Sequence, residues 1–389
     1  RGGICFMVDL APRWVSKLVR DGRRRELERY KDHVVDQGLT LLRAHPSIRC
    51  LFTTPKLLEA LAARIDLARA GIRGIVCGVT EMNAPPFGAG FGMSPTGANA
   101  ELMWAGCDAH NRFMAEFVQT APERRIGLAC IPVYWDVALA VEKVTEARRN
   151  GLAGVVLPPL WGDFPAYHRS VYDPFWAACQ DLGMPVHFHS GPAPMQEFFG
   201  EMPPPEGQPV PTGAVGAYLM EVHLWLTRPL TFMLWGGVFT RFPKLKVAIT
   251  EGTSVWVPAS VERLEFHYRG SPESQKRGDV RGHLAESPAE TFRKNVKIGS
   301  SCMSRREAEL RHEIGVRNMM WGSDYPHPEG SWPVTRQQQI DSFHGLPADD
   351  VEAMLGGNAV EFYDLDVEKL NPIAARIGPK KGSFEETSR

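Results

Sequence analysis

The chain has 389 residues, of which 43% are hydrophobic, so it is long enough to form one large domain with a substantial core. Its 44 basic and 45 acidic side chains nearly cancel, which excludes a strong overall attraction to nucleic acid or anionic lipid. No stretch reaches the roughly 18 consecutive apolar residues that a membrane-spanning helix needs. Seven scattered cysteines without a Cys-x-x-Cys pair predict reduced thiols and a cytoplasmic location.

Short apolar runs that alternate with helical patterns predict strands along most of the chain. The runs are rich in β-branched residues and are bounded by glycine, proline or polar residues. The predicted strands lie at 3–8, 71–77, 125–132, 154–158, 184–189, 246–250, 295–298 and 316–320, the last of which leads into Trp321.

Amphipathic helices with recognisable ends are predicted between these strands. Asp136 is placed to cap a helix that stops at Gly151, and a second helix begins at Asp173 and ends before Gly183. Near-continuous apolar strands separated by helices imply a parallel sheet that is covered on its outer face. About eight such units, without a glycine-rich dinucleotide loop, favour an α/β fold of the (β/α)8 TIM-barrel type over an open doubly wound sheet.

Two proline- and glycine-rich segments interrupt this pattern. Residues 80–112 and 191–217 are predicted to be long loops at the carboxyl-terminal face of the barrel, because loops of this length in a compact domain are usually lids or binding loops. We expect a single domain over residues 1–375 and a flexible polar tail over residues 376–389.

Candidate catalytic residues lie at the predicted strand ends, where function gathers in such barrels. One strand ends in His187-Phe-His189, whose two imidazoles point to the same side because they are two residues apart. Another strand is followed by Glu251, and the last strand by Asp324, with His327 three residues further on. Histidine and carboxylate ligands that converge at one rim predict a divalent transition metal (Zn, Mn or Fe), as one ion or possibly two.

Five motifs between about residue 60 and residue 366 carry a resemblance to a known family. They are Pro185-Val-His-Phe-His189, Gly236-Gly-Val-Phe-Thr-Arg-Phe-Pro-Lys-Leu-Lys-Val247, Glu251-Gly-Thr-Ser-Val-Trp-Val-Pro258, Gly322-Ser-Asp-Tyr-Pro-His327 and Gly357-Asn-Ala-Val360. Through them the chain resembles the amidohydrolase-related family of metal-dependent barrels, in the branch that includes aminocarboxymuconate-semialdehyde and resorcylate-type decarboxylases. The resemblance implies that His189 and Asp324 bind the metal. It also implies a dimer, formed with a second copy or with a homologue.

Two positions depart from the pattern of that family. Its members usually begin with a His-x-His or Glu-x-His pair on the first strand, whereas the nearest candidate here is Asp9. Either that pair lies before Arg1, or the site is altered. Decarboxylases of the family commonly have a histidine, associated with proton handling, at the position of Glu251. A glutamate there suits hydrolysis, as a base toward metal-activated water or as a further metal ligand.

Other candidate residues have a structural alternative beside the functional one. Arg263 is a candidate for binding a substrate carboxylate, or it forms an ion pair. Trp161 and Trp332 are candidates for lining an apolar substrate pocket, or they pack. His327 either stabilises charge on the substrate or supports the metal-binding aspartate, and His187 is a weaker metal-ligand candidate than the second histidine of its strand.

Several functions follow from these observations. The main hypothesis is a metal-dependent hydrolase that acts on a small organic substrate through metal-activated water, with Asp324, Glu251 and His327 as catalytic residues. The first alternative is a non-hydrolytic, metal-dependent decarboxylase (a carboxy-lyase) of an aromatic or unsaturated carboxylic acid. Two others are oxygen chemistry at two iron or manganese ions, and a degenerate barrel that is the structural partner of an active homologue.

Overall fold

The computed structural model describes residues 23–48, 50–53, 60–72, 74–77, 100–190, 212–325, 327, 330–380 and 383–384. The chain divides into a smaller unit, Arg1–Glu81, and a larger one, Met82–Arg389. The smaller unit contains helix α1 (Arg24–Ala44) and two parallel strands, β1 (Cys50–Thr53) and β2 (Gly74–Cys77).

Six parallel strands form the sheet of the larger unit. They pair in chain order, so each strand lies beside the next strand of the sequence. Parallel neighbours cannot be joined by a tight turn, and helices accordingly connect them. The strands are β3 (Leu128–Cys130), β4 (Gly154–Leu157), β5 (Val186–His189), β6 (Val247–Thr250), β7 (Val296–Ser301) and β8 (Met319–Gly322).

The helices of the larger unit alternate with these strands and then continue beyond the sheet. None of the helices in the described ranges is both long and apolar enough to span a bilayer. They are α2 (Ala100–Gln119), α3 (Val137–Arg149), α4 (Asp173–Asp181), α5 (Thr212–Trp235), α6 (Val238–Arg241), α7 (Val257–Tyr268), α8 (Pro272–Lys276), α9 (Pro288–Asn295), α10 (Arg305–Glu309), α11 (Arg311–Ile314), α12 (Thr335–Phe343), α13 (Ala348–Glu352), α14 (Asn358–Tyr363) and α15 (Val367–Ile377).

The two helices predicted from their ends are confirmed. The carboxylate of Asp136 accepts a hydrogen bond from the backbone N–H of Leu139 at 2.9 Å, which caps the first turn of α3. The chain leaves α3 through Gly151, whose φ of +86° suits glycine. Helix α4 begins at Asp173, as predicted, and ends at Asp181.

The strands of the sheet present two buried faces, because successive side chains point to opposite sides. On one face, Phe188 and Ile249 belong to the main hydrophobic core. On the other, inner face, Ala248 and Met320 pack against Phe362 of α14. A polar side chain on the inner face therefore points to the side of the sheet opposite the main hydrophobic core.

Several predicted segments need correction. The loop predicted at 80–112 is wrong from residue 100 onward, because α2 begins at Ala100, beyond the last of the prolines that suggested a loop. The loop predicted at 191–217 is wrong from Thr212, where α5 begins directly after Pro211. Residues 78–99 and 191–211 lie outside the described residues, as does the predicted strand at 3–8.

Strand boundaries also differ from the prediction at both ends of the chain. Strand β1 was not predicted. Residues Val316–Asn318 form a 3₁₀ turn and strand β8 begins after it. The predicted single domain and flexible tail remain predictions, although Phe384 within that tail is buried against Phe343.

Candidate active site

The residues that follow strands β5 to β8 lie at one edge of the sheet, where the carboxyl ends of parallel strands meet. Strand β5 ends in His189, which pairs in register with Thr250 at the end of β6. Glu251 follows Thr250 directly, and Asp324 lies two residues beyond Gly322, the last residue of β8. The sheet thus brings a histidine and two carboxylates to the same edge.

Three residues just beyond the strands have left-handed backbone conformations. The φ angle is +57° at Glu251, +51° at Cys302 and +58° at Asp324. This conformation costs about 1–2 kcal/mol for a residue other than glycine, because Cβ approaches the following carbonyl oxygen. Strained residues of this kind cluster at active sites, where surrounding contacts hold them in place. We therefore take this edge of the sheet as the candidate active site.

Small residues line the inner face of the sheet beside His189. His189 pairs with Thr250, and Thr250 pairs with Gly299 of β7, so the three positions point to the same face. A Cβ atom at Gly299 would meet nothing nearer than the carbonyl oxygen of Ile249 at 3.5 Å. The fold does not require glycine at this position, and the missing side chain leaves space on the inner face between Thr250 and Met320, its neighbours in register.

Glu251, Asp324 and His327 form a cluster with the composition of a metal site. One ligand atom from each residue lies within 4.8 Å of the ligand atoms of the other two. The two carboxylates are half-buried and His327 is exposed, so the cluster opens to solvent on the histidine side. Two carboxylates and an imidazole suit zinc, manganese or iron. The donor set therefore fits the predicted divalent transition metal.

His189 is hydrogen bonded through both nitrogens of its ring. Its Nδ1 atom lies 2.7 Å from the carbonyl oxygen of Ser190, and its Nε2 atom lies 2.8 Å from the Oε2 atom of Glu251. A carbonyl oxygen only accepts, so Nδ1 carries a proton, and Nε2 is the nitrogen with which a neutral ring can bind a metal. In this arrangement a proton lies between His189 and Glu251.

The surroundings of Glu251 favour its ionised form. Burial alone raises the pKa of Glu251, but the hydrogen bond from His189 and the charges of His189 and His327 more than offset this, and the pKa lies below its ordinary value. A carboxylate that is ionised at neutral pH can bind a cation or accept a proton. Both of the predicted roles of Glu251, as metal ligand and as general base, are chemically open to it.

The loop that carries Asp324 and His327 is closed by backbone hydrogen bonds around Gly330. The N–H of His327 donates to the carbonyl of Asp324 at 2.8 Å, and the N–H of Ser331 donates to the carbonyl of Ser323 at 2.9 Å. A Cβ atom at Gly330 would lie 2.7–3.0 Å from three backbone carbonyl oxygens of this loop. Only glycine fits here, and the tight turn holds the two candidate site residues in a fixed relation.

His187 lies one side-chain layer deeper in the sheet, and both of its ring nitrogens are occupied. Its Nδ1 atom donates to the carbonyl of Val155 at 3.0 Å, and its Nε2 atom lies 2.8 Å from the hydroxyl oxygen of Tyr363. Burial lowers the pKa of His187 to about 4, so the ring is neutral at pH 7 and Nε2 accepts the hydroxyl proton. The metal-ligand role predicted for His187 has no support in this geometry.

The sequence model of the family described as amidohydrolase matches residues 59–365. The chain belongs to the amidohydrolase family. A solved structure of dihydroxybenzoic acid decarboxylase from Polaromonas sp. JS666, with bound manganese and the inhibitor 2-nitroresorcinol, resembles this amidohydrolase with a TM-score of 0.55 at 15% identity. The similarity covers 83% of this chain and 98% of that one. The predicted α/β barrel fold and the resemblance drawn from the motifs are both confirmed.

Two relatives of this amidohydrolase are decarboxylases by name. The 2-amino-3-carboxymuconate-6-semialdehyde decarboxylase of Dictyostelium discoideum is 24% identical over 270 residues, which is 67% of this chain and 66% of that protein. The match thus spans slightly less than two thirds of that relative's length. Decarboxylase orsB of Emericella nidulans is 24% identical over 284 residues, 71% of this chain and 80% of that protein.

The three side chains predicted to bind substrate lie in different parts of the amidohydrolase. Arg263 lines a groove between helices α5 and α7. Trp161 packs edge-to-face against Phe232 of α5, with 5.2 Å between ring centroids. Trp332 is exposed and contacts Tyr325, the residue after the aspartate of the cluster. The positions of Arg263 and Trp161 lend no support to a substrate role, and that of Trp332 remains a prediction.

Glu307 is a buried carboxylate that the motifs did not single out. Its Oε1 atom accepts hydrogen bonds from the backbone N–H and the hydroxyl of Ser254 at 2.7 and 2.9 Å. Its Oε2 atom accepts from the N–H and the hydroxyl of Ser304 at 2.8 and 2.9 Å. The pattern Ser-x-x-Glu at the start of α10 is a capping box and could have indicated the second contact. The first contact joins residues 53 apart and has no sequence signature.

Proposed function

We propose that this protein is a metal-dependent decarboxylase of a small aromatic or unsaturated carboxylic acid. The observation that carries the proposal is the meeting of two carboxylates with two imidazoles: ligand atoms of Glu251, Asp324 and His327 lie within 4.8 Å of one another, and His189 lies 2.8 Å from Glu251. Decarboxylases named among the relatives and the solved structures support this choice over a hydrolase.

The metal in this proposal is held by Asp324, Glu251 and the Nε2 atom of His189. Nε2 is the ring nitrogen not used by the carbonyl of Ser190, and both carboxylates lie at the same edge of the sheet. Manganese, which is bound in the Polaromonas decarboxylase, is the first ion to test. When bound, a divalent cation supplies positive charge that attracts the substrate carboxylate and stabilises the negative charge that develops during reaction.

The protein's own side chains handle the proton. As carbon dioxide leaves, the carbon–carbon bond breaks, its electron pair stays on the substrate carbon, and that carbon takes up one proton. His327 is the exposed member of the cluster, and we assign it as the proton donor.

Product analysis tests the proposal directly. The manganese-loaded protein is incubated in deuterated water with dihydroxybenzoic acids, the compound class in the name of the Polaromonas neighbour. We expect release of carbon dioxide and a product that carries one deuterium on the carbon that lost it. Carbon dioxide release that is no faster than in a metal-free control, across a panel of aromatic and unsaturated acids, would contradict the proposal.

Hydrolysis is the second candidate, and one observation favours it. The pKa of Glu251 lies below its ordinary value, so an ionised base is present at a position where decarboxylases that resemble this chain commonly have histidine. Incubation in ¹⁸O-labelled water with small esters, amides and lactones, which carry a hydrolysable bond, beside the acids distinguishes the two. Hydrolysis places the label in the organic product, whereas decarboxylation leaves the product unlabelled.

A further inference from the structure

We propose that Glu307 is a positioning residue that sets the spacing between Glu251 and Asp324, and so the affinity of the metal site. The inference rests on the metal-dependent function proposed above. It concerns a residue that acts through the loops that carry these two carboxylates.

The first link joins the loop after β6 to the loop after β7. Ser254 lies three residues beyond Glu251 and is fully buried. It gives both its backbone N–H and its hydroxyl to one oxygen of Glu307, while Ser304 gives the same two groups to the other oxygen. One carboxylate therefore holds two loops together by four hydrogen bonds.

The second link joins the loop after β7 to the loop that carries Asp324. The N–H of Cys302 donates to the carbonyl of Gly322 at 2.8 Å, and its Sγ atom lies 3.7 Å from the carbonyl oxygen of Ser323. Cys302 is two residues before Ser304, which Glu307 holds. A continuous series of contacts thus runs from the loop of one candidate ligand to the loop of the other.

Burying Glu307 costs free energy, which indicates that its carboxylate does more than fill space in the core. Its residue exposure is 3%, and within the described part of the chain no lysine or arginine forms an ion pair with it. Burying a carboxylate without a counter-charge costs several kcal/mol, and an apolar side chain would fill the same volume without that cost. What an apolar side chain cannot do is fix four donors from two separate loops at defined positions.

The left-handed backbone conformations at this edge of the sheet explain why the loops need to be held in place. Glu251, Cys302 and Asp324 each hold a conformation that an unconstrained chain avoids. Such conformations persist only where neighbouring contacts over-determine them. Glu307 holds the segments next to the first two of these residues, and Cys302 in turn contacts the segment next to the third.

The variant Glu307→Gln tests this role with little change in volume. Its amide nitrogen is a donor that would face the backbone N–H of either Ser254 or Ser304, so that hydrogen bond is lost and the hydroxyl of the same serine has to turn and accept instead. The probe is Mn²⁺ alone, measured with the full chain by chelator competition and by the electron paramagnetic resonance line shape of the bound ion. We expect the dissociation constant to rise about tenfold or more, as is typical when groups that orient metal ligands are lost, and the line shape to change.

Two control variants separate positioning from a general loss of stability. Glu309→Gln changes an exposed carboxylate on the same helix, which pairs with Arg305. Asp350→Asn breaks the half-buried ion pair with Arg311 and lowers stability away from the site. Both should bind Mn²⁺ with the wild-type affinity and line shape. If Glu307→Gln binds Mn²⁺ no more weakly than Asp350→Asn, the positioning role is wrong.

A milder variant keeps the test decisive if Glu307→Gln does not fold. Ser254→Ala removes only the hydroxyl donor, and we expect the Mn²⁺ dissociation constant to rise about threefold or more. Unchanged affinity in this variant would overturn the inference. Wild-type protein that binds no Mn²⁺ would instead contradict the proposed function, and the inference with it, so the two failures are distinguishable.

Discussion

The Nε2 atom of His189 lies 2.8 Å from the Oε2 atom of Glu251, and this contact joins the ends of two neighbouring strands. The side chains are 22% and 25% exposed, so water partly reaches the pair. The contact shows that the two groups are close enough to share a proton. The proposed function requires that they share a metal ion instead once one is bound.

Replacing Asp324 by asparagine is expected to remove the metal while leaving the fold intact. Asparagine has the same size but offers a neutral oxygen, so bound manganese should fall below about a tenth of an equivalent per chain. Elemental analysis and circular dichroism measure the two effects. The control Asp341→Asn changes an exposed carboxylate that accepts a hydrogen bond from Gln337, and it should retain the metal. Retained metal and turnover in Asp324→Asn would refute its assignment.

Replacing Glu251 by glutamine distinguishes three roles. A general base that is lost costs about 10²–10⁴ in turnover, while metal content stays the same. A lost metal ligand reduces metal affinity as well, and this is the outcome we expect. If Glu251 is only a packing partner, turnover falls less than about tenfold and the metal is retained. Turnover and elemental analysis on the same sample are the measurements.

The variant His327→Asn is expected to separate proton donation from metal binding. We expect manganese content close to wild type, because the proposed ligands are other residues, and turnover reduced about 10²–10⁴-fold by loss of the proton donor. The exposed His312 lies away from the cluster, and His312→Asn serves as the control. A large loss of manganese in His327→Asn would make this residue a ligand rather than the donor.

The variant Gly330→Ala is expected to disturb the loop of the candidate site. The added methyl group would lie 2.7 Å from the carbonyl oxygen of Asp324, and overpacking of this kind costs about 1–3 kcal/mol. We expect a lower melting temperature and weaker manganese binding. Gly356→Ala is the matched control, because a Cβ atom there meets nothing within 4 Å. Equal melting temperatures and affinities for the two variants would contradict the steric argument.

The variant Tyr363→Phe tests the structural role of His187. Loss of the hydroxyl leaves the Nε2 atom of this buried histidine without its donor, which should cost about 1–3 kcal/mol of unfolding free energy. We expect manganese content to be unchanged, since the pair lies a layer deeper than the cluster. Denaturant unfolding and elemental analysis are the measurements, and Tyr325→Phe, at an exposed tyrosine, is the control. Loss of manganese in Tyr363→Phe alone would show that the pair supports the metal site.

Local patterns were sufficient to predict most of the sheet and two of its helices. Apolar runs bounded by glycine or proline locate strands, Asp136 marks a helix start through its capping hydrogen bond, and Asp173 does so through the proline that follows it in the first turn. The predicted ends of the two loops were wrong because glycine and proline indicate where a loop lies, and do not indicate how soon after them a helix begins. Helices α2 and α5 both begin within a few residues of the last such signal.

The candidate site was predictable only where it depends on strand ends. His189, Glu251 and Asp324 lie at or within two residues of the ends of their strands, so the parallel sheet brings them to one edge. The partners of His187 and Glu307 were not predictable, since each contact joins segments that are distant in the sequence. The groove between α5 and α7 that Arg263 lines was likewise not predictable, because spacing along α7 does not reveal which helix face borders α5.

Gly299 is a position where substitution is expected to change the size of the ligand that the protein binds. Because a methyl group fits there without backbone displacement, alanine or serine at this position would reduce the space between Thr250 and Met320 on the inner face and leave the sheet undisturbed. Selectivity for ligand size could thus be altered at a single codon, independently of the side chains that carry out the chemistry.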